Sequence, residues 1–259
     1  MRAVENVTGG NFLELYHGLA STCSKKVRLC LYEKGLSFKS HLLNLQKFEQ
    51  HSPEYLALNP NGVVPTLVHH GRPIIESSVI IDYLDDSFEE PPLKPKDAYS
   101  RAQMRLWLKF SDDVAYNAVY APTWMILSKN AMRDKTVEER RRILANIPSK
   151  ERRERWEVVT RDGFSERELA DAYEKMERCL DRAEKTLQTD DWLAAHDYSL
   201  ADIAMVPFID RIWKLRPEFM SEAKYPRVND WYRRMQKRSA FSRAFDFKED
   251  RRAAELPNI

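Results

Sequence analysis

The stretch Asn59-Pro60-Asn61-Gly62-Val63-Val64-Pro65-Thr66-Leu67, followed by Glu76-Ser77-Ser78, decides the fold of this chain. Asn-Pro-Asn-Gly is a turn signal. Val64-Pro65 puts an X-Pro bond at the start of an apolar run, and such bonds are cis in only about 5–6% of folded cases. A cis bond would turn the Val64 backbone outward at a strand end. Its N–H and C=O could then pair with an extended peptide in antiparallel fashion. A trans proline at the first residue of a strand is the plain alternative, and the dipeptide alone leaves the two equal. Glu76-Ser77 shifts the balance. A helix N-terminus attracts a carboxylate through its free N–H groups and positive dipole end. Ser77 could add a hydroxyl to that carboxylate, and Glu76 could take an ammonium. In isolation the pair reads as helix caps. Just downstream of Val64-Pro65 it reads as a holder for a peptide with a free amino acid end.

Working outward, Phe12 to Tyr16 reads as a short buried strand. Val27, Cys30 and Leu31 recur at helical spacing up to Gly35, a helix stop. Ser37 to Leu43 alternates like a strand. Phe48, Tyr55 and Leu56 suggest a second helix before the turn. Pro65 to Val68 and Arg72 to Ile75 flank the hairpin signal His70-Gly71, and Ser77 to Leu84 closes the unit as a helix. The order is βαβαββα, the thioredoxin-like arrangement, over residues 10–88. Pro91, Pro92 and Pro95 mark residues 89–96 as a linker. Residues 97–259 are helical in pattern, so the fold class is α/β plus all-α. Met104, Trp107, Leu108, Val114, Ala115, Ala118 and Val119 fall on one face of a single long helix. Arg133 to Asp162 is charged, with few core candidates, and reads as a solvated helical insertion. Glu168 to Gln188 resumes a helix. Ser199-Leu200-Ala201-Asp202 is a capping-box-like start of a helix that Pro207 should kink.

Bulk properties set limits on function. The 259 residues are 43% hydrophobic, enough for a sizeable core in one large domain or two modest ones. Charge is high at 32% but nearly balanced, at +2. That argues against nucleic acid or an anionic membrane as the main partner. No apolar run approaches the ~18 residues of a membrane span, and the polar Met1 to Gly10 lacks a signal core. Cys23, Cys30 and Cys179 stand at no metal-like spacing, so no disulfide framework or metal site is expected, and a reducing cytoplasm is. With 7 glycines there is no GxGxxG and no P-loop.

The chemistry points to Ser21-Thr22-Cys23-Ser24, between the first strand and first helix. A thiol with a pKa near ~8.5 is little ionised at pH 7. Hydroxyl donors and a helix N-terminus stabilise its thiolate. A shift of about two units needs roughly 2.7 kcal/mol, within reach of one or two charge-assisted hydrogen bonds. Any one of these side chains taken singly reads as a helix cap.

The βαβαββα unit, Val64-Pro65, Glu76-Ser77 and the Ser199 to Asp202 box together resemble the glutathione S-transferase family, over nearly the whole chain. The resemblance implies a thioredoxin-like domain joined to a helical bundle, with glutathione as co-substrate. The strings Leu31 to Leu36, Lys47 to Ser52 and Tyr198 to Ile203, and the long insertion ending in Arg161-Asp162-Gly163-Phe164, are similar to the bacterial glutathione-dependent β-aryl etherases of lignin breakdown. There glutathione's thiolate attacks the ether-bearing carbon beside a ketone, a phenolate leaves and a thioether remains. By this resemblance Ser24 is the first choice for the sulfur contact and Ser21, placed as in other serine-type transferases, the second. Cys23 stands where the etherase pattern carries an asparagine, which opens a thiol-transfer route through a mixed disulfide. Tyr16, in the strand, is a poor candidate. Lys47, Gln50 and His51 could reach glutathione's glycine carboxylate. Val64, beside Pro65, would pair with the cysteinyl part, and Glu76 and Ser77 would hold the γ-glutamyl head. Tyr116, Tyr120 and Trp124 repeat every four residues and could stack on an aromatic substrate between the domains. Core or dimer contact is their equal alternative. The resemblance implies a two-fold homodimer, with a heterodimer of related chains also open. Other glutathione conjugation, dehalogenation and a non-catalytic binding module are the competing functions.

Overall fold

The computed structural model describes residues 12–132 and 135–258. Four strands form one mixed sheet: β1 (Leu13–His17), β2 (Lys39–Leu42), β3 (Thr66–His69) and β4 (Arg72–Ile75), in the order β2-β1-β3-β4. β1 pairs parallel with β2 and antiparallel with β3, and β3 pairs antiparallel with β4. The parallel pair needs a crossover, supplied by α1 (Thr22–Glu33), which ends ahead of Gly35 at φ +63°. The β3–β4 pair needs only a two-residue turn. His70 and Gly71 take φ +51° and +74°, the left-handed pair that matches strand twist.

The expected second helix is smaller than its apolar spacing suggests. Single 3₁₀ turns cover Leu45–Lys47 and Glu49–His51, and α2 is one turn, Pro53–Leu56. Phe48 breaks the run at φ +58°. Beyond the turn the Val64-Pro65 bond is cis, and α3 (Ser77–Ser87) closes the unit.

The helical half begins with α4 (Ala98–Phe110), one wider π turn over Ser111–Ala115, and α5 (Tyr116–Met132). The expected single long helix is thus two α segments joined by a π turn. Its predicted face is buried at Met104, Trp107, Leu108, Ala115, Ala118 and Val119. After α6 (Val137–Ala145) and α7 (Lys150–Asp162) come α8 (Glu166–Thr186), α9 (Leu200–Leu215), α10 (Pro226–Gln236) and α11 (Ser239–Phe245). The Ser199 box is formed, with Pro207 inside α9. Asp202 also accepts from the Leu193 N–H (3.0 Å) and the Trp231 indole (2.8 Å), tying three segments together.

Two seams join the sheet unit to the helices. Along α1 the charged residues Lys25, Lys26 and Arg28 are fully buried. Lys26 Nζ donates to Ser78, Ser111 and Asp112 at 3.0–3.1 Å, and Lys25 pairs with Asp210 at 3.7 Å. The second seam corrects the expectation of a solvated insertion. Leu144, Ile147 and Trp156 form a small separate core with Phe48 of the sheet unit, and Trp124 packs against it. The charged residues between them hide this, because the apolar positions are sparse. No helix among the described residues is long and apolar enough to cross a membrane.

Candidate active site

A cavity opens at the N-terminal end of α1, between the sheet unit and α5. One wall is Ala20 to Cys23, the Gly62 to Val64 turn, and Gln46 and Gln50. The other is Tyr116, Tyr120, Thr123 and Trp124 of α5, with Arg152 of α7 and Arg211 of α9. Tyr116, Tyr120 and Trp124 do share one stripe, with neighbouring ring centroids 5.6 and 6.1 Å apart. Burial raises the pKa of both tyrosines, so each keeps its O–H as a donor at neutral pH.

The loop before α1 is fixed from behind. Arg28 donates to the carbonyls of Gly18 (3.1 Å), Leu19 (3.0 Å) and Ala244 (2.9 Å), and its Nη1 lies 3.0 Å from His17 Nδ1. Arg211 donates to the Ala20 carbonyl at 2.7 Å while lining the cavity. Burial lowers its pKa to about 10, which leaves it charged at neutral pH.

Ser21 caps α1: its Oγ accepts the Ser24 N–H at 3.2 Å. That bond uses a lone pair and leaves the hydroxyl proton to donate. Ser24, the first choice from sequence, is turned away from the cavity wall. Its side chain is fully buried and its Oγ accepts the Gly18 N–H at 3.1 Å. Ser21, as the cap ahead of α1, lines the opening, while the Ser24 hydroxyl is engaged inside the fold by the Gly18 N–H. Cys23 reaches the wall, but burial pushes its thiol up. Lys26 and the hydroxyls of Ser77 and Thr22 offset only part of that.

The peptide holder is wired as a unit. The Asn59 amide donates to the Val63 carbonyl (2.9 Å) and Thr66 Oγ1 (3.2 Å), and the Tyr55 hydroxyl reaches the same two groups. Asn59 Oδ1 accepts the Asn61 N–H at 3.1 Å. Val64 is in the wall, and among the described residues its main chain makes no hydrogen bond. Pro65 is buried just behind it. Glu76 is exposed at φ +66°, a region a non-glycine residue rarely enters without cause. It lines an adjoining groove with Asn61 and Arg152, and Ser77 is buried at the α3 N-terminus. Gln50 lines the cavity with its buried Oε1 unpartnered among the described residues. His51 and Lys47 are not in the wall. Lys47 is exposed. His51 is packed under Gly62, where an added Cβ would stand 2.8 Å from its Cδ2. Burial, helped by Arg152, lowers its pKa to about 4, so it is neutral at pH 7.

Arg152 and Arg211 were missed from the sequence. Arg211 had a signal, a cation within the apolar pattern of α9. Arg152 had a fainter one, four residues before Trp156 in an otherwise charged run. Among the described residues no carboxylate lines the cavity itself.

Residues 15–92 match the family profile described as glutathione S-transferase, N-terminal domain, and residues 123–239 the C-terminal domain profile. Protein LigF of Sphingobium sp. (strain NBRC 103272 / SYK-6) is 34% identical over 90% of this chain and 93% of its own length. Glutathione S-transferase U1 of Arabidopsis thaliana is 26% identical over 84% and 81%. The crystal structure of beta-etherase LigF from Sphingobium sp. strain SYK-6 superposes with a TM-score of 0.85 at 32% identity, covering 91% of this chain and 99% of that one. A theta class glutathione S-transferase from Xanthomonas axonopodis pv. citri with glutathione bound shares the fold at a TM-score of 0.69 and 21% identity, over 91% and 97%. The chain belongs to the glutathione S-transferase family.

Proposed function

We propose that this glutathione S-transferase cleaves β-aryl ethers beside a ketone, using glutathione as the nucleophile. The observation that carries the reading is one cavity whose walls are a peptide holder and an aromatic stripe. Likeness to the beta-etherase LigF supports the reaction class.

In this reading glutathione lies along Val64, pairing its cysteinyl backbone with the free main chain there. Its γ-glutamyl ammonium meets Glu76, and its α-carboxylate meets the Ser77 hydroxyl and the α3 N-terminus. The Gln50 amide serves the glycine carboxylate. Ser21, in place of Ser24, donates its hydroxyl to the sulfur and with the α1 N-terminus stabilises the thiolate. The electrophile stacks along Tyr116, Tyr120 and Trp124. The thiolate attacks the ether carbon, the C–O bond breaks, its electron pair leaves on the phenolate oxygen, and a thioether remains. The adjacent ketone activates the carbon. The enzyme works as a cytoplasmic homodimer in this account.

The test is phenolate release from an α-keto β-aryl ether in the presence of glutathione, with the thioether identified as co-product. No release from either enantiomer would sink the reading. Cys23 in the cavity wall supports a second one, thiol transfer through a mixed disulfide, but its raised pKa works against a thiolate there. A Cys23→Ser variant with unchanged activity excludes that route.

A further inference from the structure

Among the described residues, Arg152 is the one charged side chain that the helical insertion brings to the cavity. Its Nη1 donates to the Asn61 carbonyl at 2.9 Å. Among the described residues it has no carboxylate partner within ion-pairing distance. It touches the cavity on one side and the groove holding Glu76 on the other. Its field reaches Tyr116, Tyr120 and His51. A guanidinium held at one corner keeps further N–H donors for a planar or anionic oxygen.

We propose that Arg152 receives the oxyanion that develops on the acceptor, the phenolate oxygen leaving from the ether carbon. This rests on the ether-cleavage reading above. There the two carboxylates of glutathione are matched by Ser77 with the α3 N-terminus and by Gln50, and Glu76 by the ammonium. Arg211 is drawn back to the Ala20 carbonyl and to Thr123 (3.3 Å), at the rear of the loop. Arg152 lines the same cavity as the aromatic stripe and is, among the described residues, the cation left for the acceptor. As the C–O bond breaks, the electron pair settles on the oxygen beside the guanidinium, and solvent later protonates the released phenolate. Placed donors of this kind act where charge develops and not on the neutral ether. Arg152 is then a catalytic residue supplied by the insertion.

The decisive measurement does not need turnover. A chromogenic phenol that titrates near neutral pH is bound in the presence of S-methylglutathione, which cannot react, and its ionisation is followed by absorbance. The wild-type protein is expected to lower the bound phenol's pKa, Arg152→Gln to abolish that shift, and Arg152→Lys to keep part of it. Lys150→Gln, which removes a charge from the exposed side of the same helix, is expected to retain the shift. An unshifted phenol in the wild type, an undiminished shift in Arg152→Gln, or an equal loss in Lys150→Gln would each overturn the assignment. In turnover, Arg152→Gln should lower kcat/KM about 100–1,000-fold, most for ethers with the poorest leaving groups. A rise confined to the KM for glutathione, with the phenol shift intact, would instead put the guanidinium on a glutathione carboxylate. Absence of ether cleavage in the wild type defeats the reaction assigned above, while the phenol titration still decides the role of Arg152.

Discussion

The two seams between the sheet unit and the helices are built from opposite materials. Along α1, three fully buried cations are satisfied by carbonyls, hydroxyls and carboxylates of both halves. Around α7, a handful of apolar side chains and one exposed hydrogen bond, Arg152 to Asn61, do the joining. Breaking the first strands buried polar groups, which costs far more than a made hydrogen bond contributes. Breaking the second exposes one small apolar cluster. The loop ahead of α1 is therefore the more firmly fixed wall of the cavity, and the α7 wall the more easily opened.

The strongest challenge to this contrast is Arg28→Ala. It leaves the carbonyls of Gly18, Leu19 and Ala244 without their donor, and should cost about 3–5 kcal/mol of global stability in denaturant unfolding. A loss below about 1 kcal/mol would mean that the α1 seam is not the rigid one. Trp156→Ala removes the centre of the small core, where its ring meets Trp124 at 4.5 Å and Phe48 at 5.7 Å. A buried Trp→Ala change costs about 3–5 kcal/mol where the whole fold depends on it. Here the loss should be local. Hydrogen exchange should speed up in α6 and α7 and leave α1 protected, and equal loss of protection in both would erase the distinction.

Acid should act on the second seam through His51. Its folded pKa, about 4, lies below the ordinary value near 6.5. The neutral ring's contribution is thus complete above about pH 6.5 and is lost as pH falls toward 4, by at most about 3 kcal/mol. His51→Gln should flatten unfolding free energy over that window, and a variant as acid-sensitive as the wild type would remove His51 from the account. The smallest effect expected is that of Gly62→Ala. The residue holds φ +59° and a Cβ would press on the buried His51 ring. About 1–2 kcal/mol of stability should go, together with weaker glutathione binding by calorimetry. Unaltered affinity would detach this turn from the ligand.

The same contrast explains what could be read in advance. The sheet unit was legible because its signals are local: His70-Gly71 for the hairpin and Gly35 for the helix stop, as was the Ser199–Asp202 cap in the helical half. Val64 is singled out by its X-Pro bond, the Tyr116 stripe by its four-residue spacing and Gln50 through the family resemblance, and all of them line the cavity. Resemblance ranks Ser24 above Ser21, and short spacing gives no sign that the Ser24 hydroxyl is engaged by the Gly18 N–H within the fold. The role of the insertion was hidden for another reason. Leu144, Ile147 and Trp156 become a core only when Phe48, distant in sequence, supplies the other half. Arg152 inherits its position from that long-range contact, and a charge run gives no hint of which member will be carried inward.

The Arg28 bond to the Ala244 carbonyl and the Arg211 bond to the Ala20 carbonyl have a consequence for how the protein is made. Ribosomes release the amino-terminal unit first, and domains generally begin to fold in that order. Residues 18–23 leave early, yet both ties that set the loop's shape wait for α9 and α11. The sheet can form while synthesis continues, but competence for glutathione comes at the end. Stalled chains that stop short of Ser239 should fail to be retained on immobilised glutathione, while released full chains are retained.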